Sequence, residues 1–145
     1  MDASALNALF DLTGRTAIVT GGTRGIGLSV AHGLAAAGAN VVVASRKSEA
    51  CDRAAEQLRQ AGAQAIGVPT HLGDGEAIEA LVDATVERFG GVDIVINNAA
   101  NALALPLGEI TSEALNKSFA VNLQGPVFLV QAALPHLRKS EHAAI

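Results

Sequence analysis

Gly21, Gly25 and Gly27 sit between a short apolar stretch, Thr16–Thr20, and a segment from Ile26 to Ala37 whose small and apolar residues recur at helical spacing. A strand, a glycine-rich turn and the start of a helix, in that order, suit an anion. The first helical turn presents N–H groups without carbonyl partners and a partial positive charge, which fits a pyrophosphate. Glycine in the turn permits the backbone angles and lets a phosphate approach closely, and glycine on the first helical turn lets the helix pack near the strand. The spacing is G-x-x-x-G-x-G, not the G-x-G-x-x-G of the general dinucleotide fingerprint, so its meaning comes from the strand–turn–helix setting. A glycine-rich turn without a ligand is the competing reading.

A second group of residues bears on which dinucleotide would bind. NAD sites ordinarily carry an Asp or Glu about twenty residues past the first glycine, where it takes the ribose hydroxyls. Here the corresponding stretch reads Ala44-Ser45-Arg46-Lys47, with no acid. A hydroxyl and two cations suit a 2′-phosphate: Arg grips it with a forked, charge-assisted contact, and Lys acts as a point charge. Arg24, inside the glycine turn, is expected to point to the same phosphate. Lys47 reads equally well as a solvated residue after a strand. NADP(H) is therefore the preferred cofactor, and an acid-free pocket still admits NAD(H).

The elements that position these residues read as alternating strands and helices. Val41–Ala44, Ala65–Val68 (ended by Pro69) and Val92–Ile96 follow Thr16–Thr20 as strands. Between them lie the helix ending at Gly38 as a C-cap, a helix at Ser48–Ala61 and one at Asp74–Phe89 stopped by Gly90-Gly91. The strands are continuous apolar runs, as in parallel sheets covered on both faces. Right-handed crossovers then give an α/β fold with an open, doubly wound, Rossmann-type sheet. Thr111 opens a long helical segment to about Lys139, expected to bend near Gly125-Pro126 and at Pro135. His142–Ile145 reads as the start of a fifth strand, and a chain stopping there reads as the N-terminal portion of its fold. Residues 1–145 read as one domain, incomplete at the C-terminus.

Composition narrows the function classes. The 145 residues are 50% hydrophobic and 17% charged, a globular balance, and the net charge of −4 argues against nucleic acid as a partner. No apolar run reaches transmembrane length, and Met1–Arg15 carries Asp2 and Asp11 without a basic region ahead of an apolar stretch. The expectation is a cytoplasmic protein with no membrane partner. The single cysteine, Cys51, excludes an intrachain disulfide and reads as a packing residue of a helix. His32, His71, His136 and His142 lack metal-ligand spacing, so no metal is expected.

The stretch Thr20-Gly21-Gly22-Thr23-Arg24-Gly25-Ile26-Gly27 resembles the cofactor motif of the short-chain dehydrogenases/reductases. Asn97-Asn98-Ala99-Ala100 is similar to that family's N-N-A-G motif, with Ala100 in place of the usual glycine. Asn122, in Val121-Asn122-Leu123, resembles the asparagine on its long central helix. These matches occur in the family's order and cover almost the whole chain. The loop Thr70-His71-Leu72-Gly73-Asp74 is similar to the branch of carbonyl and retinol reductases.

The resemblance implies a cofactor site made by Gly21, Thr23, Arg24, Gly25, Ile26 and Gly27, by Ser45, Arg46 and Lys47, by His71 and Leu72, and by Asn98, Ala99 and Ala100. It implies an Asp where His71 stands, touching the adenine; His71 is either a changed adenine contact, since histidine donates or accepts, or a surface loop residue. It implies carbonyl–alcohol interconversion by a serine, a tyrosine, a lysine four places later and an asparagine. A phenol with pKa near ~10 needs a nearby cation to exchange protons close to neutral pH. Only the asparagine has a counterpart, Asn122, and the chain has no tyrosine. The expected function is the NADP(H)-binding portion of such an oxidoreductase, inactive by itself, with a homo-oligomer or a complementing C-terminal half as partner. A non-catalytic dinucleotide-binding module and a non-functional remnant are the alternatives.

Overall fold

The computed structural model describes residues 8–145. The reading of Met1–Arg15 as free of a leader falls partly on residues 1–7, outside the described residues. Thr16–Thr20 forms β1 and is buried along its whole length, which requires cover on both faces. β1 pairs in parallel with β2 (Asn40–Ser45) on one side and with β4 (Ile94–Ile96) on the other. β3 (Ala65–Pro69) pairs in parallel with the far side of β2, giving the order β3-β2-β1-β4.

The alternation along the strands divides the core into two layers. Ile18 lies in register with Val42 and Val95. These three meet Ile78, Leu81 and Val82 of α3 (Gly75–Phe89) and Leu129 and Ala133 of α5 (Gly125–Leu137). On the other face, Val19, Val41 and Val43 meet Ala31 of α1 (Gly25–Ala36) and Ala54, Ala55 and Leu58 of α2 (Ser48–Gln60). Each fully buried Val, Leu or Ile adds about 1.5–3 kcal/mol to that cover. α1 and α2 thus lie on one face and α3 and α5 on the other, and the sheet is doubly wound. All four strands point the same way, so the glycine turn and the loops after β2, β3 and β4 gather at one end.

Three expectations are corrected. β4 begins at Ile94, not Val92. Asp93 instead serves as a clasp: its carboxylate accepts the Thr16 N–H at 2.8 Å and the Ser140 hydroxyl at 2.6 Å. The expected start of a fifth strand, by contrast, is present as a parallel bridge, Ile94 to Ala144, flanked by hydrogen bonds from Val95 N to Ala144 O and from Ala144 N to Asp93 O, each 3.0 Å. The long helix is not one helix with a proline bend. It runs as α4 (Ser112–Phe119), a π-helical turn at Ala120–Gln124, and α5. Pro126 has no N–H for the carbonyl four residues back, so the ladder loses a rung where the wider turn occurs. Gly125 sits tight against the loop after β3: a Cβ there would lie 2.6 Å from the Leu72 carbonyl oxygen. Helix α1 ends one residue early, with Ala37 as its cap and Gly38 beyond it.

Cys51, on α2, is 0% exposed and donates weakly to the carbonyls of Ser45 (3.4 Å) and Val68 (3.6 Å). Burial pushes its thiol above the ordinary value of 9.0. A raised value in the folded state favours the protonated thiol there. The stability this adds is therefore present below pH 9.0 and is lost as pH rises through the folded value. Two results are expected: iodoacetamide leaves the native thiol unmodified, and the fall in melting temperature between neutral pH and pH ~10 is smaller in Cys51→Ala than in the unaltered chain. Rapid alkylation of the native protein would contradict the first.

Candidate functional site

The carboxyl ends of the strands surround a cavity of about 760 Å³, within the ~300–1,000 Å³ range of small-molecule and cofactor sites. Its floor is the turn between β1 and α1. Gly25 there has φ +53, a backbone angle that favours glycine, and open space where a side chain would stand. Arg24 precedes α1 with an extended backbone and no side-chain cap, and the first turn carries no acid. The first N–H to return to a carbonyl is that of Leu28, on Arg24 O at 3.2 Å. The N–H groups of Gly25, Ile26 and Gly27 lie ahead of that bond, and these three residues line the cavity, where free N–H donors suit phosphate oxygens.

Thr20 and Asn98 hold this turn against the end of β4. The Thr20 hydroxyl donates to Ile96 O and accepts the N–H groups of Asn98 and Ala99, all at 3.1 Å. The Asn98 side-chain amide donates to Thr20 O at 2.9 Å and Gly21 O at 3.3 Å. Gly27 makes the packing possible, since a Cβ on it would fall onto the Gly21 carbonyl oxygen and the Asn98 amide nitrogen. The end of β2 is fastened on both sides, Gly21 N to Ala44 O and Thr70 N to Ser45 O, each 2.8 Å.

The structure brings most of the expected residues together. Gly21, Thr23, Arg24, Gly25, Ile26 and Gly27 line the cavity with Ser45 and Arg46. So do His71 and Leu72 of the loop after β3, and Asn98, Ala99 and Ala100 after β4. Lys47 is not among the lining residues; it precedes α2 as its N-cap. Asn122 is not among them either. It lies in the π turn, where its side chain accepts the Asn101 N–H at 2.7 Å and donates to Asn101 O at 2.9 Å and to the Ser118 hydroxyl at 3.1 Å. In this chain that asparagine ties the loop after β4 to the helix behind it, beside a second hollow of about 310 Å³ formed with Leu115 and Phe119.

Sequence reasoning missed Lys117, Ala120 and Val121, which form the far wall. Their i, i+3, i+4 spacing, ending at the residue before Asn122, is a signal that could have found them. It also missed Thr20, Ala44, Thr70, Gly73, Asn101 and Ala102, which complete the lining. Among the described residues, the ionisable side chains along the cavity are Arg24, Arg46, His71 and Lys117, with no carboxylate, in a protein whose net charge is −4.

The sequence profile of the short chain dehydrogenases matches residues 15–145. The chain belongs to the short-chain dehydrogenase family. Tropinone reductase-like 3 of Erythroxylum coca is 37% identical over 133 residues, which is 91% of this chain and 52% of that protein. A dehydrogenase/reductase from Sinorhizobium meliloti superimposes with a TM-score of 0.88 at 36% identity, over 92% of this chain and 54% of that one. The Pseudomonas aeruginosa RhlG/NADP active-site complex does so with a TM-score of 0.84 at 35% identity, over 90% and 51%. The chain therefore spans about half the length of the relatives it matches, and its sheet is the N-terminal portion of the short-chain dehydrogenase fold. Among the described residues no helix is long and apolar enough to cross a membrane.

Proposed function

We propose that this chain is the NADP(H)-binding portion of a short-chain oxidoreductase that interconverts carbonyl and alcohol groups. The observation that carries the reading is the electrostatics of the cavity: among the described residues, an uncapped helix start and only basic ionisable groups line it, in an acidic protein. That lining fits a ligand with several phosphates. The RhlG complex with NADP is a similar fold carrying the same class of ligand.

When bound, the nicotinamide supplies or accepts the hydride. The residues of this chain bind and orient. The first N–H groups of α1 take the pyrophosphate, Thr20 and Asn98 keep the turn in place, and Arg46 with Ser45 faces the ribose 2′-phosphate. Arg24 adds charge from the turn, whereas Lys47, off the lining, is a solvated N-cap residue. These 145 residues contain no tyrosine, so the proton of the family reaction has no phenol donor within them. Asn122, bonded to Asn101 and Ser118, acts by holding the loop.

Arg46→Asp tests the assignment. The unaltered chain is expected to bind NADPH at least about tenfold more tightly than NADH, and the variant is expected to lose or reverse that preference, since it exchanges a forked cation for an anion facing the phosphate. Calorimetric titration reads both affinities. The same ratio in both proteins would remove Arg46 from the phosphate site.

A further inference from the structure

The charge along the cavity is unevenly placed. Arg24 stands on the glycine turn, Arg46 after β2, His71 after β3 and Lys117 on the far wall. At the end of β4 the lining runs from Asn98 to Ala102 and carries no ionisable side chain. Ala99, Ala100 and Ala102 offer only methyl groups there. The Asn98 side-chain amide is already given to Thr20 O at 2.9 Å and Gly21 O at 3.3 Å. Asn101 is what remains.

Asn101 is held by its backbone alone. Its N–H donates to the Asn122 side-chain oxygen at 2.7 Å, and its carbonyl accepts from the Asn122 amide at 2.9 Å and from the Ser118 hydroxyl at 3.3 Å. These bonds spend both backbone polar groups on the helical segment behind the loop and fix the residue's place. Among the described residues the Asn101 carboxamide forms no hydrogen bond, and the residue is half-buried on the cavity wall. What Asn101 has left to offer a ligand is therefore a side chain with two donor hydrogens and an acceptor oxygen.

The order of the strands says what lies opposite. With the pyrophosphate on the turn over β1 and the phosphate-bearing ribose at the end of β2, the rest of the dinucleotide extends the other way, over β4, which neighbours β1 at about 4.8 Å. The first group past the pyrophosphate on that side is a second ribose. It is uncharged and carries two adjacent hydroxyls. A carboxamide matches a hydroxyl in both directions, since its oxygen accepts and its nitrogen donates.

We infer that the Asn101 carboxamide hydrogen-bonds the hydroxyls of this second ribose and so positions the nicotinamide end of the cofactor. The inference rests on the dinucleotide reading above. It adds a residue that lies outside the glycine turn, the Asn-Asn-Ala stretch and Asn122.

Three nucleotides test it by calorimetric titration: NADPH, its analogue ending at the second ribose (2′-phospho-ADP-ribose), and adenosine 2′-phosphate 5′-diphosphate, which lacks that ribose. Asn101→Ala is expected to weaken the first two about three- to tenfold, the scale of one neutral hydrogen bond, and to leave the third unchanged. Its melting temperature is expected to match the parent's, because the carboxamide has no partner within the described residues. Asn101→Asp keeps an acceptor for the hydroxyls. Its charge is expected to weaken all three nucleotides together while the preference for the two that carry the ribose survives, which a merely structural role of the side chain would not produce. Undiminished NADPH binding in Asn101→Ala, an equal loss for the nucleotide without the ribose, or a loss confined to NADPH would overturn the inference and leave the cofactor site standing. Failure of the unaltered chain to bind any of the three would overturn the cofactor reading and this inference with it.

Discussion

Gly27→Ala is expected to destabilise the chain by about 3 kcal/mol or more, the upper range for forcing extra volume into a packed site. For a domain of this size that lowers the melting temperature by roughly 10 °C. The new methyl falls onto the Gly21 carbonyl oxygen and the Asn98 amide nitrogen. Neither is the far end of a flexible side chain. The carbonyl is backbone, and the amide is held by its own bonds to Thr20 O and Gly21 O. To make room, α1 must move away from β1, and its first N–H groups move with it. NADPH binding is therefore expected to fall with stability. A variant with the parent's melting temperature would show that α1 and the turn are not in the close contact described here.

Thr20→Val is expected to cost about 2–4 kcal/mol although the two side chains have nearly the same shape, because the partners of the lost hydroxyl stay behind. Thr20 is 1% exposed. Its oxygen is the acceptor for the N–H groups of Asn98 and Ala99 and donates to Ile96 O. Valine leaves these groups where water reaches them poorly, at about 1–3 kcal/mol for each that finds no new partner. Thr20→Ser keeps the hydroxyl and loses one methyl, so it is expected to cost about 1 kcal/mol. Chemical denaturation of the three proteins gives the order. If the serine variant were the less stable of the two, packing of the methyl would outweigh the hydrogen bonds.

Local patterns carried much of the sheet into view. The apolar runs at Thr16–Thr20 and Val41–Ala44 are central strands because nothing polar interrupts them, and the glycine turn stands between strand and helix as its setting in the sequence implied. What escaped depends on partners distant in sequence. Nothing near Asp93 reveals that its carboxylate serves Thr16 and Ser140, 77 and 47 residues away, which ends the strand reading at Val92. Gly67 looks like a weak point in β3. Its role is contact, since a Cβ there would come 2.5 Å from the Cys51 backbone, where α2 crosses the strand. The π turn escaped because Gly125 and Pro126 signal a break without saying which kind. Lys117 belongs to no motif, and its place on the cavity wall follows from a helix face. Lys47 shows the converse: a charge next to Arg46 in sequence need not share its cavity.

The most direct measurement is calorimetric titration of the purified chain with NADPH and with NADH, after circular dichroism and a cooperative melt have established folding. Saturable binding of one NADPH per chain, at least about tenfold tighter than NADH, is the predicted result. A folded chain that takes up neither nucleotide would contradict the assignment of the basic cavity to a nicotinamide dinucleotide phosphate.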